Sequence, residues 1–367
     1  MKKLTAILLL LAMLLTGCGK PDPWWQETAP TVTEPAGTEP LIVHFIDVGQ
    51  ADCALIEYGD YHMLIDGGNK EDSSLVVTYL ENQGITELDA VVCSHAHEDH
   101  VGGLPAVLAV YPTAAVYAPT NTYSSNIFDD FVYYTDQQGL EVTIPSPGDT
   151  IIDGELTVTV LGPTQSYAET NDTSIILRVA FGETSFLFTG DMEVAAENDM
   201  LDYWGNFDWQ VDVLKVGHHG SDTSTGYRFL NEVMPTYGVI SVGEDNSYGH
   251  PHDEPMSRLN QAGVTLFRTD ELGTILAVSD GNGITFTWED QSGSPDNAES
   301  AAPVCFIGNK NSGKFHAEDC ANLPKEENRV YFDSYDEAVE NGYTPCGSCL
   351  GYSVMSSLTP RKFIRIW

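Results

Sequence analysis

CSHAHEDHVGG, residues 93–103, places three histidines and two acids in six positions, directly after the apolar run LDAVV. His95, His97, Asp99 and His100 form the pattern HxHxDH, followed by a Gly-Gly turn and the helix-like LPAVLAV. A loop at a strand end lets polar ligands converge without burying unsatisfied backbone. Imidazole and carboxylate are the usual donors for zinc or manganese. On such a turn His95 and His97 face one side, and Asp99 and His100 another. The spacing therefore predicts two metal ions, one for each pair. A solvated helix cap would need one such residue, not four.

Two further stretches fit this reading. FLFTGDME sets Asp191 after an apolar strand and a glycine, where a carboxylate can bridge two ions about 3.5–4 Å apart. DVLKVGHHGS sets His218 and His219 at another strand end. One of them completes the second ion's ligands. His218 is favoured over His219, because it directly follows the strand and its glycine.

Short runs rich in Val and Ile, stopped by glycine or polar residues, begin at residue 41: LIVHFIDVG, HMLIDGG, LTVTVLGP, SIILRVAFG and YGVISVG. Helix patterns alternate with them at SLVVTYLENQG, 193–203, 224–234 and 254–262. Several strands are apolar on both faces, which predicts covered sheets and a layered α/β fold. TLFRTD, GTILAVSD and GITFTWED read as a closing meander. Cys53 and Cys93 read as core residues, and His44, His62 and His252 as structural histidines.

HFIDVGQADCALI, LIDGG, HAHEDHVGGL, NDTSIILRVAFG, FLFTGD, DVLKVGHHGSDTST, VISVGEDNSYGHP and LFRTDELGTI occur in order between residues 41 and 288. This region resembles the metallo-β-lactamase superfamily, and within it the hydrolase domain of ComEC-type competence proteins, which internalise DNA. The resemblance implies a four-layer αβ/βα sandwich with two divalent ions, Zn or Mn, at one sheet edge. It carries over His95, His97, Asp99, His100 and Asp191 as ligands, and Asp66 of LIDGG as a carboxylate supporting the site from behind. Many members carry another histidine between HxHxDH and the later aspartate. This chain has none there; Asn171, Asp172 and Ser174 occupy the place, as the resemblance to the ComEC-like branch implies. The ion of His95 and His97 is then the less firmly held, and the Asn171–Ser174 stretch, like Asn246, is a candidate for supporting the site or holding substrate. The resemblance gives His250 of SYGHP a role in holding a phosphate or donating a proton. Asp99 is placed to orient the attacking water or take its proton.

The ends of the chain differ in kind. MKKLTAILLLLAMLLTGCGK has two lysines, a short apolar run and a cysteine after small residues. It reads as a bacterial lipoprotein signal, residues 1–18, with Cys18 as the lipidated residue. Residues 19–40 hold five prolines and four acids, a flexible tether containing Trp24 and Trp25. The hydrolase domain is assigned to 41–288 and a second linker to 289–303. Residues 304–350 contain His316-x3-Cys320 and Cys346-x2-Cys349, two close ligand pairs that match one structural zinc. Disulfides or a redox-active CxxC are the alternatives. Zinc is preferred because His316 has no part in a disulfide scheme; Cys305 is left unassigned. The stretch resembles the small metal-binding domain of the Ada repair protein. Residues 351–367 form a short tail.

Charge restricts the function. Residues 41–303 carry 42 acids against 6 bases, whereas 304–367 carry 8 against 7. The main domain repels polyanions over most of its surface. Three readings follow. The first is a lipid-anchored extracytoplasmic phosphodiesterase or nuclease acting on single-stranded or duplex DNA. The second is a phosphoesterase on a small or cell-wall substrate such as phosphorylcholine, which the acidity hinders less. The third is a non-catalytic surface binding protein. The membrane is expected to be met through the lipid anchor alone, and nothing in the sequence calls for an obligate protein partner.

Overall fold

The computed structural model describes residues 39–288, 306–316, 320, 323–332, 338 and 341–346. Cys18, the proline-rich stretch to residue 38, the 289–303 linker, Cys305, Cys349 and the 351–367 tail lie outside the described residues. Among the described residues no helix is long and apolar enough to cross a membrane.

The strands in chain order are β1 (Leu41–Phe45), β2 (Ala54–Tyr58), β3 (Tyr61–Ile65), β4 (Leu88–Val92), β5 (Thr113–Tyr117), β6 (Val142–Thr143), β7 (Thr150–Ile152), β8 (Leu156–Gly162), β9 (Ile176–Phe181), β10 (Thr184–Phe188), β11 (Val213–Lys215), β12 (Tyr237–Ile240), β13 (Thr265–Arg268), β14 (Ile275–Ser279) and β15 (Ile284–Trp288). They form an eight-stranded sheet, β15-β14-β1-β2-β3-β4-β5-β6, and a seven-stranded sheet, β13-β12-β11-β10-β9-β8-β7. Alternation along each strand sends one set of side chains to each face. In β2, Ala54 and Ile56 join the core between the sheets, beside Val179, Phe186 and Val213 of the opposite sheet. Leu55 points the other way, into a layer with Val76, Leu80, Val107, Phe128 and Phe131. Those residues lie on helices α1 (Ser73–Asn82), α3 (Leu104–Val110) and α4 (Asn126–Gln137), with the single-turn α2 (Glu98–Val101) between the first two. On the far side α5 (Val194–Trp204) and α6 (Tyr227–Val233) cover Leu187 and Leu214. Helix α7 (Asp253–Gln261) covers Ile240 through Leu259. The four-layer α/β sandwich follows: helix, sheet, sheet, helix.

The closing meander is corrected. β13 pairs parallel with β12 in the second sheet, and only β14 and β15 form a hairpin, in the first. After β13 the chain makes the short helix α8 (Thr269–Leu272) and crosses to the other sheet. Three successive apolar runs do not encode that change of partner.

The C-terminal segment forms its own four-stranded sheet, with β16 (Phe306–Asn309), β17 (Lys314–His316), β18 (Arg329–Phe332) and β19 (Thr344–Pro345) in the order β18-β16-β17-β19. Phe315, Phe332 and Ala338 make its small core, with Val330 and Tyr343 packed on it.

Candidate metal centre

Strand ends position the site. β3 runs into Asp66, and its parallel neighbour β4 into Ser94 and His95. β10 runs into Thr189-Gly190-Asp191, and its parallel neighbour β11 into the turn Gly217–Gly220. Parallel neighbours end at the same edge, where open α/β sheets place their ligands. The glycines after HxHxDH are needed for close approach: a Cβ on Gly103 would lie 2.1 Å from the Gly67 carbonyl oxygen.

Asp191 is the hub. Its Oδ2 lies 3.3 Å from His100 Nε2, 3.6 Å from His218 Nε2 and 3.7 Å from His95 Nε2. Its Oδ1 lies 3.7 Å from His219 Nε2. Asp99 brings Oδ2 to 3.4 Å from His219 Nε2 and 3.9 Å from His100 Nε2. His97 Nδ1 is 3.1 Å from His95 Nε2. Most of these separations are too long for good hydrogen bonds. They match the spacing of donors that share one ion, roughly 3.3 Å for ligands about 2 Å from a tetrahedral centre.

The donors fit a divalent ion. His100 Nε2, His219 Nε2 and Asp191 Oδ1 are buried without a hydrogen bond of acceptable geometry, although buried polar atoms are nearly always satisfied. With Asp99 they offer four ligand atoms within 4.8 Å of one another. Electrostatics agree. Burial disfavours charge on His100 and His219, yet Asp191, Asp66 and Asp99 hold His100 well above the ordinary histidine range. Asp191 and Asp52 lift His219 to about 10 against the same burial. The carboxylates create a position that demands positive charge.

The preference for His218 beside the second pair is corrected by this geometry. His219, not His218, belongs to the compact group with Asp99, His100 and Asp191. Both residues have left-handed backbone angles, φ 51° and 53°. That turn aims two consecutive imidazoles at one carboxylate, which no regular element can do.

Behind the ligands stand buried acceptors. Asp66 accepts from Ser94 N and Ser94 Oγ, both at 2.7 Å, and from His100 Nδ1 at 2.9 Å. That bond leaves His100 Nε2 for the site, the support from behind expected of Asp66. His219 Nδ1 is 3.0 Å from Ser241 O and 3.2 Å from Asp52 Oδ1. Asp52 in turn pairs with Lys215 Nζ at 2.8 Å.

The remaining candidates divide. Asn171 lines the open cavity and donates to Glu193 Oε1 at 3.1 Å. Ser174 is buried; its Oγ donates to Asn171 O and accepts from Asp191 N, so it holds the Asp191 loop and does not face a substrate. Asn246 staples its own loop, donating to the carbonyls of Gly243 and His250 and accepting from His250 N. His250 lines the cavity with its ring parallel to that of Tyr248, centroids 5.6 Å apart. Gln50 Oε1 accepts from Gly243 N, so the Gln50 amide nitrogen faces His250 Nδ1, at 3.3 Å. His250 Nδ1 is therefore an acceptor, and its proton sits on Nε2. Burial and the neighbouring His219 and His218 lower His250 to about 4, keeping the ring neutral. His44 is a core histidine, 2.8 Å from the Tyr79 hydroxyl.

Asp52, Lys215, Gln50 and Glu193 escaped the reading of the sequence. A lysine inside the apolar run DVLKVG was the visible signal, since lysines are rarely fully buried without a partner.

In the C-terminal sheet, β17 and β19 run parallel with Phe315 opposite Pro345, which sets His316 beside Cys346. Cys320 Sγ lies 3.3 Å from His316 Nδ1, and His316, Cys320 and Cys346 offer three ligand atoms within 4.8 Å of one another. This donor set suits zinc; the fourth expected ligand, Cys349, lies outside the described residues.

Residues 46–244 match the family model of the metallo-beta-lactamase superfamily, and residues 296–350 match the metal binding domain of Ada. ComE operon protein 3 of Bacillus subtilis is 31% identical over 254 residues, which cover 64% of this chain and 32% of that protein. Competence protein ComA of Neisseria gonorrhoeae is 33% identical over 233 residues, 62% of this chain and 31% of that protein. The chain spans about a third of the length of these relatives. Among solved structures, the metallo-beta-lactamase fold protein YhfI of Bacillus subtilis aligns at 16% identity with a TM-score of 0.43, over 62% of this chain and 96% of that one.

Proposed function

The chain belongs to the metallo-beta-lactamase superfamily and is related to competence proteins, and from that premise we propose that it is a metal-dependent phosphodiesterase that cuts DNA outside the cytoplasm, anchored through lipid on Cys18. One observation carries the reading: unpartnered ligand atoms of His100, Asp191 and His219 cluster together, and Asp191 and His219, with Asp99, line a cavity of about 920 Å³. That volume is within the usual range for a small-molecule or nucleotide-sized ligand. The Ada-like tail supports the same reading as a candidate nucleic-acid contact.

Two divalent ions, when bound by these residues, supply positive charge to the phosphoester oxygens and acidify water. The protein's own groups do the rest. Burial raises the pKa of Asp99, but His100 and His219 more than offset it, so the carboxylate stays ionised and orients the attacking water. His250 donates its Nε2 proton in a hydrogen bond to a phosphoryl oxygen, stabilising the charge that develops there. Asp66 and Asp52 hold the imidazoles of His100 and His219 in register.

A second reading has its own support. The cavity wall carries Asp47, Glu71, Asp72, Glu98, Glu244 and Asp270, a rim unfavourable to a polyanion and neutral or favourable to a small phosphoester with a cationic arm, such as phosphorylcholine on a cell wall. The test offers the purified protein, loaded with zinc or manganese, single-stranded DNA, bis-p-nitrophenyl phosphate and p-nitrophenylphosphorylcholine. DNA degradation that disappears in His97→Ala is the expected result. Turnover of the choline ester alone would transfer the assignment to the second reading. Two bound ions with no turnover of any substrate would return the protein to the non-catalytic class.

A further inference from the structure

We propose that His218 replaces the middle histidine this sequence lacks, so that the two adjacent histidines of GHHG serve different ions. On this reading, which rests on the two-ion centre above, His218 joins His95 and His97, His219 joins Asp99 and His100, and Asp191 lies between the two groups.

Three observations converge. First, no histidine occurs between His100 and His218, so a third nitrogen donor for His95 and His97 comes from elsewhere in the chain. His218 Nε2 and His95 Nε2 approach the same oxygen, Asp191 Oδ2, at 3.6 and 3.7 Å. His100 Nε2 also approaches Oδ2, at 3.3 Å, but it reaches Asp99 as well, at 3.9 Å, as His219 Nε2 does at 3.4 Å; His219 alone of these histidines lies against the other oxygen, Oδ1.

Second, the backbone is strained at both residues, which a use for both rings accounts for. His218 (φ 51°, ψ 46°) and His219 (φ 53°, ψ 24°) are consecutive left-handed residues with side chains. That conformation is disfavoured for residues bearing a Cβ, and consecutive cases are rarer still. If only one imidazole were used, a single left-handed residue or a glycine beside it would suffice.

Third, His218 is held from behind as a ligand is. Its Nδ1 lies 3.1 Å from Thr223 Oγ1 and 3.8 Å from Glu193 Oε1, which leaves Nε2 directed at Asp191. Glu193 is itself fixed by Asn171 Nδ2 at 3.1 Å and, through its backbone N, by Asp172 Oδ1 at 3.0 Å. The stretch standing where many superfamily members carry the missing histidine thus supports its proposed substitute.

Metal counting tests this without reference to any substrate, so failure of the phosphodiesterase reading would leave it intact. Cobalt(II) is titrated into the metal-free full-length protein. Ions per chain are measured by mass spectrometry, and the ligand-field spectrum reports nitrogen donors. Wild type is expected to bind two ions outside the C-terminal zinc site. His218→Ala and His95→Ala should each lose the same, weaker ion, and the double variant should lose no more than either alone. His219→Ala should remove the other ion, as His100→Ala does. His218→Asp, which restores a donor, should recover the weaker ion with an altered spectrum; this separates lost ligation from misfolding. Two ions of unchanged affinity in a folded His218→Ala protein would overturn the proposal. So would loss in His218→Ala of the ion lost in His219→Ala.

Discussion

Lys215 and Asp52 form an ion pair of 2.8 Å behind the candidate metal centre, with both side chains almost fully buried. Lys215 ends β11 in one sheet, and Asp52 sits in the loop between β1 and β2 of the other, so the pair ties the two sheets together where His219 needs its support. Burial opposes ionisation of Asp52, but Lys215 and His219 hold it well below the usual carboxylate range. Lys215→Met strands that charge and should cost about 3–5 kcal/mol in chemical denaturation. Adding Asp52→Leu should restore most of the stability, because an apolar pair replaces a buried ion pair at little cost. Metal affinity should not return with it: without a carboxylate behind His219, a roughly 10- to 100-fold loss is expected. A double variant with wild-type metal affinity would remove Asp52 from the support of His219.

Gln50 sets the tautomer of His250. Its oxygen is used by Gly243 N, so its amide group donates to His250 Nδ1. Gln50→Glu keeps the bond from Gly243 but turns the other oxygen into an acceptor, which draws the proton to Nδ1 and leaves Nε2 bare. The variant should lose about 100-fold in kcat, the usual effect of removing one donor to a developing charge. Metal content and fold should be unchanged, and His250→Ala in the Gln50→Glu background should cost little more. Equal kcat in Gln50→Glu and wild type would show that His250 does not act through Nε2.

The strand-end positions of the candidate ligands were legible because HxHxDH, TGD and GHHG each abut an apolar run. The aim of the two GHHG imidazoles was not. It depends on two left-handed backbone angles, and neither hydrophobic period nor residue type encodes those. Asp52 and Lys215 were illegible for another reason: they meet only when two sheets stack, far apart in sequence. The transfer of β14 and β15 to the first sheet was hidden similarly, since an apolar strand reads alike in either sheet.

In the C-terminal sheet, Cys346→Ser should remove one zinc per chain and leave the ions of the main domain in place. With so small a core around Phe315 and Phe332, much of the segment's folding energy is expected from the metal. Limited proteolysis should then cut within residues 306–346, while hydrolysis of a small phosphodiester by the main domain persists. A resistant segment without zinc would argue that packing alone folds it.

Glu197 of α5 makes stability depend on pH. Its carboxylate accepts from Thr225 N at 2.5 Å and Gly226 N at 2.9 Å, pinning the end of the loop that follows GHHG. Burial raises its pKa from 4.5 to about 7, only partly offset by those donors. In the folded protein the group therefore holds its proton in a range where the unfolded chain has released it. Its contribution is full below pH 4.5 and is lost as pH rises to 7, an effect on the order of 3 kcal/mol. Glu197→Gln cannot titrate, so the stability difference between wild type and variant should slope over that window and level off outside it. A constant difference from pH 4 to 8 would refute the buried-acid account.

The acidic rim gives the salt dependence an unusual sign. Proteins that bind DNA through basic surfaces lose affinity as salt rises, because counterion release drives association. Here Glu71, Glu98 and Glu244 stand exposed at the cavity mouth, in a domain, residues 41–288, with 38 acids against 6 bases. Salt screens that repulsion within a Debye length of about 10 Å at 0.1 M. KM for a single-stranded oligonucleotide should therefore fall as ionic strength rises from low to physiological, with kcat nearly constant. Glu71→Gln with Glu244→Gln should lower KM at low salt and flatten the dependence, leaving metal content unchanged. For p-nitrophenylphosphorylcholine the sign reverses, since its ammonium group is attracted to the same carboxylates and salt weakens that attraction. Measuring both substrates across one salt series thus tests the rim and separates the two substrate classes. If KM for DNA rises with salt in the wild type, the rim does not govern approach to the site.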